Sequence, residues 1–273
     1  MKIYNLVVVF KGKSTREAIY YVARDISKIL DIPLIILRSS KDVIVLLKRL
    51  RNTKTVLYIG ALSTFTIFKI VILSILTRKK IIIYALQHGA VKVPFLITKI
   101  LRLRSIIVTP SNYLKNELKK SGLFADYVIP HGIVIEDTHF LQSSLKDAHI
   151  SREHGKIKVL SVYSTLFQLR KRLGLYYLMY AWSKLPAHLR KRAILVLKVP
   201  RGQSFIVNKY AKLLKLKPQK DYIVIDRYLK PSEMKELYLS ADIYVHCVLA
   251  DSFGLPILEA LSYGVPVIAL NAP

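Results

Sequence analysis

The stretch Asp251–Pro273, DSFGLPILEALSYGVPVIALNAP, decides the fold, because its own punctuation divides it into a turn, a helix and a strand. Pro256 suits the first position of a helix and Gly264 the position just past one, which predicts a short helix over about 256–263. VPVIAL follows as a strand-length apolar run, and DIYVHCV, 242–248, stands as another before the turn at Asp251. Two strands joined by a helix are the repeating unit of a parallel sheet.

The same alternation runs outward to the N-terminus. Buried-strand patterns recur as YNLVVVF, IPLIILR, KTVLYIG, KIIIYAL and RSIIVTP, then as KIKVLSV, AILVLKV and DYIVIDR, with helical patterns between them. SEMKELYLSAD carries Met234, Leu237, Tyr238 and Ala241 at helical spacing, with Ser232 as the predicted N-cap. The segment from Ile135 to Lys156 breaks the rhythm with a polar sequence after Pro130 and Gly132. The reading is an α/β chain of two parallel-sheet domains, 1–135 and 157–273, joined by a linker over 136–156.

Composition narrows the function classes. A hydrophobic content of 52% and a mean hydropathy of +0.33 exclude a disordered, solvated polymer. The 44 basic and 17 acidic residues leave a net charge of +27, which asks for an anionic partner. The excess is spread, 23 basic against 8 acidic residues through residue 140 and 21 against 9 beyond it. With no basic helix and no aromatic RNA-binding strand, a nucleic-acid-binding protein is the weaker reading. One cysteine, Cys247, cannot form an internal disulfide, and this points to the cytoplasm. The first apolar run is too short for a signal peptide. Leu62–Leu76, interrupted by Lys69, falls short of the roughly 20 residues of a membrane span and predicts a buried helix.

In an open parallel sheet the ligand crevice lies beyond the carboxyl ends of the strands, and Asp251 sits just past such an end. Glu259 follows about 5 Å along the predicted helix from its start, so both carboxylates look into one crevice. The backbone amides around Phe253, Gly254 and Leu255 lie at that helix's N-terminus, which favours anions and polar oxygens. Carboxylates accept hydrogen bonds from sugar hydroxyls, and amides donate to phosphate oxygens. The spacing alone also fits a helix cap and a solvated acid. His88 ends a strand in QHGA, Lys198 ends AILVLKV, and His131 lies in the loop PHG. FKGKST lacks the glycine of a phosphate loop, since Val7 stands where it is needed, but Gly12 and Lys13 still form the first strand-to-helix loop. No Cys/His cluster and no H-E-x-x-H helix occurs, so no dedicated metal site is expected.

DSFGLPILEALSYGVPVIA resembles the E-x7-E region of retaining glycosyltransferases of the GT-B fold, in the large family four (glycosyl transferases group 1). The likeness extends back through SADIYVHCVLADSFG, and more loosely through VIPHGIVIEDTHF, PSNYLKNELKKSG and KVLSVYSTLFQLRKRLGLYYLMYAWSKLP. It implies two Rossmann-like domains facing each other across a cleft, and transfer of a sugar, with retention, from a nucleotide-sugar donor to a lipid-linked, glycan or protein acceptor. It implies no cofactor and no metal. Glu259 would hold the nucleotide ribose, and Asp251 the donor sugar, where the family usually has Glu. Arg172 and Lys171 would bind the diphosphate with help from Lys198, although Leu173 stands where the family has Lys. His88 would face the reaction, and Gly12 and Lys13 the acceptor. Arg78, Lys79, Lys80, Lys99, Arg102 and Arg104 predict attraction to an anionic membrane at its inner face. The chain ends before the family's closing strand and helices, which predicts an incomplete second domain that self-associates, is completed by another chain or belongs to a fragment of a longer protein. A catalytically impaired scaffold of the same ancestry is the alternative.

Overall fold

Every apolar run quoted above forms a strand in the computed structural model, and all strand pairs among the described residues are parallel. The structure describes residues 4–11, 18–37, 50, 53–88, 93–133, 155–163, 174–249 and 251–271. The chain divides into two compact units, Met1–Gly132 and Ile133–Pro273. Of the predicted linker, only Gly155 and Lys156 lie among the described residues.

In the first unit, β1 (Tyr4–Lys11), β2 (Leu34–Leu37), β3 (Thr53–Leu62), β4 (Lys80–His88), β5 (Ser105–Thr109) and β6 (Tyr127–Val128) form a sheet of order β2-β1-β3-β4-β5-β6. Its helices are α1 (Ala18–Ile29), α2 (Thr64–Thr77), α3 (Phe95–Arg104) and α4 (Asn112–Lys120). Period-two alternation sends Val56, Tyr58, Ile81 and Ile83 to one face, against Ile67 and Ile70 of α2, Leu101 of α3 and Leu118 of α4. Leu57, Ile59, Tyr84 and Leu86 line the other face with Ala23 of α1. Both faces are covered, which is why these strands read as unbroken apolar runs.

The prediction of a buried helix at Leu62–Leu76 is corrected. Ser63 caps α2 by accepting from the Thr66 N–H at 3.2 Å, and Ile67, Ile70, Val71 and Ser74 are buried on the sheet. Phe65, Phe68, Ile72, Ile75 and Leu76, however, are exposed. A helix laid on one face of a sheet buries one stripe, and no described element covers the other. Among the described residues no helix is long and apolar enough to cross a membrane.

In the second unit, β7 (Ile157–Val162), β8 (Ala193–Lys198), β9 (Tyr222–Ile225), β10 (Ile243–His246) and β11 (Val267–Ala269) form a sheet of order β11-β10-β7-β8-β9. Helices α5 (Leu175–Lys184) and α7 (Ser204–Leu213) pack Met179, Trp182, Ile206 and Val207 on one face, and α6 (Ala187–Arg192) leads into β8. On the other face Tyr238 of α8 (Pro231–Leu239) and Ala260 of α9 (Leu255–Ser262) meet Leu160, Val196 and Tyr244. Ser232 is not the cap of α8. Proline's fixed φ starts the helix at Pro231, and Glu233 reaches back to accept the Lys230 N–H at 2.7 Å. From β7 the chain runs through β8 to β9, then returns to β10 on the opposite side of β7. That reversal makes the carboxyl ends of β7 and β10 the topological switch point.

Candidate functional site

Both predicted carboxylates stand at this switch point. Beyond β10 the chain bends at Ser252 and Phe253, then enters α9 through Gly254, whose φ of +83° is left-handed backbone that a residue with a Cβ adopts only at a cost. The helix begins at Leu255, so Pro256 is its second residue and Glu259 its fifth, just past the first turn rather than in it.

Asp251 Oδ1 accepts the Ser252 N–H at 2.7 Å, and Oδ2 lies 3.5 Å from His246 Nε2. His246 ends β10 and is buried. Its Nδ1 lies 3.2 Å from the Tyr244 hydroxyl, two residues back on the same face of the strand. Nε2 is buried and makes no hydrogen bond. With the proton on Nε2, directed at Asp251, Nδ1 accepts from the Tyr244 O–H. The Tyr244 ring meets the Tyr238 ring edge-on at 5.8 Å, and the Tyr238 O–H donates to Glu259 Oε2 at 2.7 Å. Tyr263 stacks on Tyr238 at 5.8 Å. The two acids thus hang from one buried set of rings. Burial pushes the Glu259 carboxyl up, and the Tyr238 hydrogen bond offsets part of that rise. Burial also raises the Tyr238 phenol, so it stays a proton donor at neutral pH.

Gly174 caps the start of α5 and is held against the end of β10. Its N–H donates to Cys247 O at 2.7 Å, and a Cβ there would lie 2.4 Å from that oxygen and 2.6 Å from Cys247 Sγ. Lys198 closes β8 at the same end of the sheet. Its ammonium donates to Val199 O at 2.8 Å, and burial lowers its pKa against the pull of Asp226. Arg170, Lys171, Arg172 and Leu173 lie outside the described residues, as do Gly12 and Lys13. His88 closes β4 opposite Leu62 of β3, and only its backbone is described. His131 is buried, with Nδ1 2.9 Å from the Tyr84 hydroxyl, and burial lowers its pKa to about 4. An open depression lined by Ile225, Arg227, Leu229, Glu233 and Leu237 includes neither of the two acids.

The sequence reading passed over His246, Tyr244 and Tyr238. The signal was present in DIYVHCV, where Tyr244 and His246 alternate toward one face just before Asp251. Tyr238 read as an ordinary core position of its helix, and its hydroxyl's partner twenty-one residues on has no local signature.

The family model for glycosyl transferases group 1 matches residues 149–273, the segment that holds this site. No curated protein matches the chain significantly. Among solved structures, HepE from Anabaena, in complex with UDP-glucose, superposes with a TM-score of 0.64 at 14% identity, over 97% of this chain and 80% of its own. A glycosyltransferase from Rickettsia africae gives 0.64 at 18% identity, over 98% and 80%. An α,α-trehalose 6-phosphate synthase from Burkholderia multivorans gives 0.66 at 9% identity, over 97% and 83%. At these identities the likeness concerns the fold. It is the succession of two Rossmann-like parallel-sheet units found in GT-B glycosyltransferases.

Proposed function

We propose that this chain transfers a sugar from a nucleotide-sugar donor to an acceptor hydroxyl, with retention at the anomeric carbon. One observation carries the reading. Two carboxylates tied to a shared Tyr-His cluster sit at the switch point of a sheet, within the segment that matches the group 1 glycosyltransferase family. Glu259 receives the nucleotide ribose through Oε1, since Tyr238 occupies Oε2. Asp251, held by the Ser252 amide and facing His246, receives hydroxyls of the donor sugar. The UDP-glucose bound by HepE makes a UDP-sugar the first donor to test.

The bond from the sugar's anomeric carbon to the diphosphate breaks as the bond to the acceptor oxygen forms, and the acceptor's proton passes to a phosphate oxygen. Charge therefore grows on the leaving diphosphate. The amides at the start of α9, together with Lys171 and Arg172 just before Gly174 in the sequence, are assigned to stabilise it. His88, Gly12 and Lys13 of the first unit are assigned to the acceptor side, and an acceptor anchored in a membrane suits the basic charge.

Thermal-shift measurement against UDP-, GDP- and ADP-sugars tests the reading. A donor that binds only the folded chain, at 100 times its Kd, adds about 2.7 kcal/mol. Glu259→Ala removes that stabilisation, whereas Asp251→Asn keeps it and lowers turnover. No stabilisation by any nucleotide sugar, or an unchanged response in Glu259→Ala, overturns the assignment. Donor binding without turnover in the parent chain would make it a binding protein of the same fold.

A further inference from the structure

The exposed side of α2 is a continuous apolar stripe. Phe65, Phe68, Ile72, Ile75 and Leu76 recur at intervals of three and four, and Phe65 and Leu76 are 65% and 73% exposed. The stripe runs about 16 Å at the helical rise. Its neighbour α3 exposes Phe95, Leu96 and Leu103, with Phe95 and Leu103 two turns apart on one side and Phe95 85% exposed. Both helices pack their opposite sides on the same face of the first sheet, through Ile67, Ile70 and Leu101. Their exposed stripes therefore point the same way, outward from that sheet.

The charges on these two helices are all of one sign. Lys69 lies in the α2 stripe with Nζ 4.3 Å above the Phe65 ring, and Lys99 and Arg102 lie in the α3 stripe. Arg78 ends α2 and Arg104 ends α3. No Asp or Glu occurs anywhere between Asp42 and Glu117, a stretch that holds 13 Lys and Arg. A protein partner with an apolar face would complement the stripes but not this one-signed fringe, and nucleic acid would complement the fringe but not the stripes. A bilayer carrying anionic headgroups complements both, with apolar side chains entering the acyl boundary and long cationic ones reaching back to phosphate. At fourteen residues α2 lies on such a surface and does not span it.

We infer that the outer faces of α2 and α3 form a docking surface for an anionic lipid bilayer, with the apolar stripes inserted and Lys69, Lys99 and Arg102 on the headgroups. The inference stands on the first unit alone and holds whatever the second unit binds.

The test is sedimentation of the full chain with vesicles of phosphatidylcholine alone or mixed with phosphatidylglycerol, at low and high salt. The parent chain binds the mixed vesicles strongly at low salt and keeps part of that binding at high salt, because insertion of apolar side chains is not screened. Phe68→Ser with Ile72→Ser removes the salt-resistant part, weakening binding roughly tenfold or more. Lys99→Glu with Arg102→Glu removes the low-salt preference for anionic vesicles by a similar factor. All these residues are exposed, so unchanged melting curves verify folding of the variants. Equal binding to neutral and anionic vesicles, or variants that bind as the parent does, overturns the inference. So does a concentration-dependent dimer that Phe68→Ser with Ile72→Ser dissolves without any vesicle binding, since a second copy would then cover the surface.

Discussion

At Gly174 one hydrogen in place of a methyl lets the start of α5 close on the end of β10, with the Cys247 carbonyl 2.7 Å from its amide. Gly174→Ala should cost about 1–3 kcal/mol or more, read as a lower urea midpoint, because the nearest obstacle is backbone. Adding Cys247→Ala relieves only the Sγ contact, so the double variant should recover little. Recovery to parental stability would show that the sulfur alone set the cost. His246 poses a different question, because its imidazole bridges Tyr244 and the acid expected at the sugar. His246→Leu leaves the Tyr244 hydroxyl buried without its acceptor, at about 1–3 kcal/mol, and Tyr244→Phe in the same chain should return part of that loss. Under the proposed function, His246→Leu lowers turnover while a stabilising nucleotide sugar still binds through Glu259. Equal loss of both would make His246 a packing residue only.

Elements carried most of the sequence's legibility. The ten quoted strands were readable because burial on both faces leaves each an unbroken apolar run. β6 was not, since its two residues, Tyr127 and Val128, are too few for a period. The exposure of α2 was not readable either: an apolar helix looks the same whether a second layer covers it or not. The acids and the Gly254 turn stood out by local chemistry, whereas the Tyr238 bond depends on bringing α8 beside α9. A similar tertiary bond ties β4 to the exit of the first unit. The Tyr84 O–H donates to Ile129 O at 2.8 Å, so the shared bond to His131 uses the imidazole's Nδ1–H. The folded value of about 4 lies below the ordinary 6.5, so the unfolded chain takes the proton first as pH falls. His131 therefore contributes no penalty at neutral pH and destabilises the fold between about pH 6.5 and 4, by at most about 3 kcal/mol. Thermal melts across that range should fall more steeply in the parent than in His131→Gln, and parallel curves would assign the acid sensitivity to other groups.

At the scale of the whole molecule the two sheets share a plan but differ at their margins. In the first, the terminal strands β2 and β6 are four and two residues long, which gives a partner little to pair with. In the second, β11 is terminal, pairs only with β10 among the described residues, and leaves Ile268 and Leu270 exposed. An apolar strand with one ladder open is a template for another chain, and its backbone hydrogen bonds should open at lower cost than those of β7 and β8. Hydrogen exchange should find the amides of Val267–Ala269 exchanging well before those of β7 and β8. Light scattering should show association that grows with concentration, and Ile268→Lys should suppress it by placing a charge on the open edge. This route is separable from the α2 surface, because Ile268→Lys leaves vesicle binding unchanged. A monodisperse chain whose β11 amides are as protected as those of β7 would mean that the edge is already closed, and the association argument would fail.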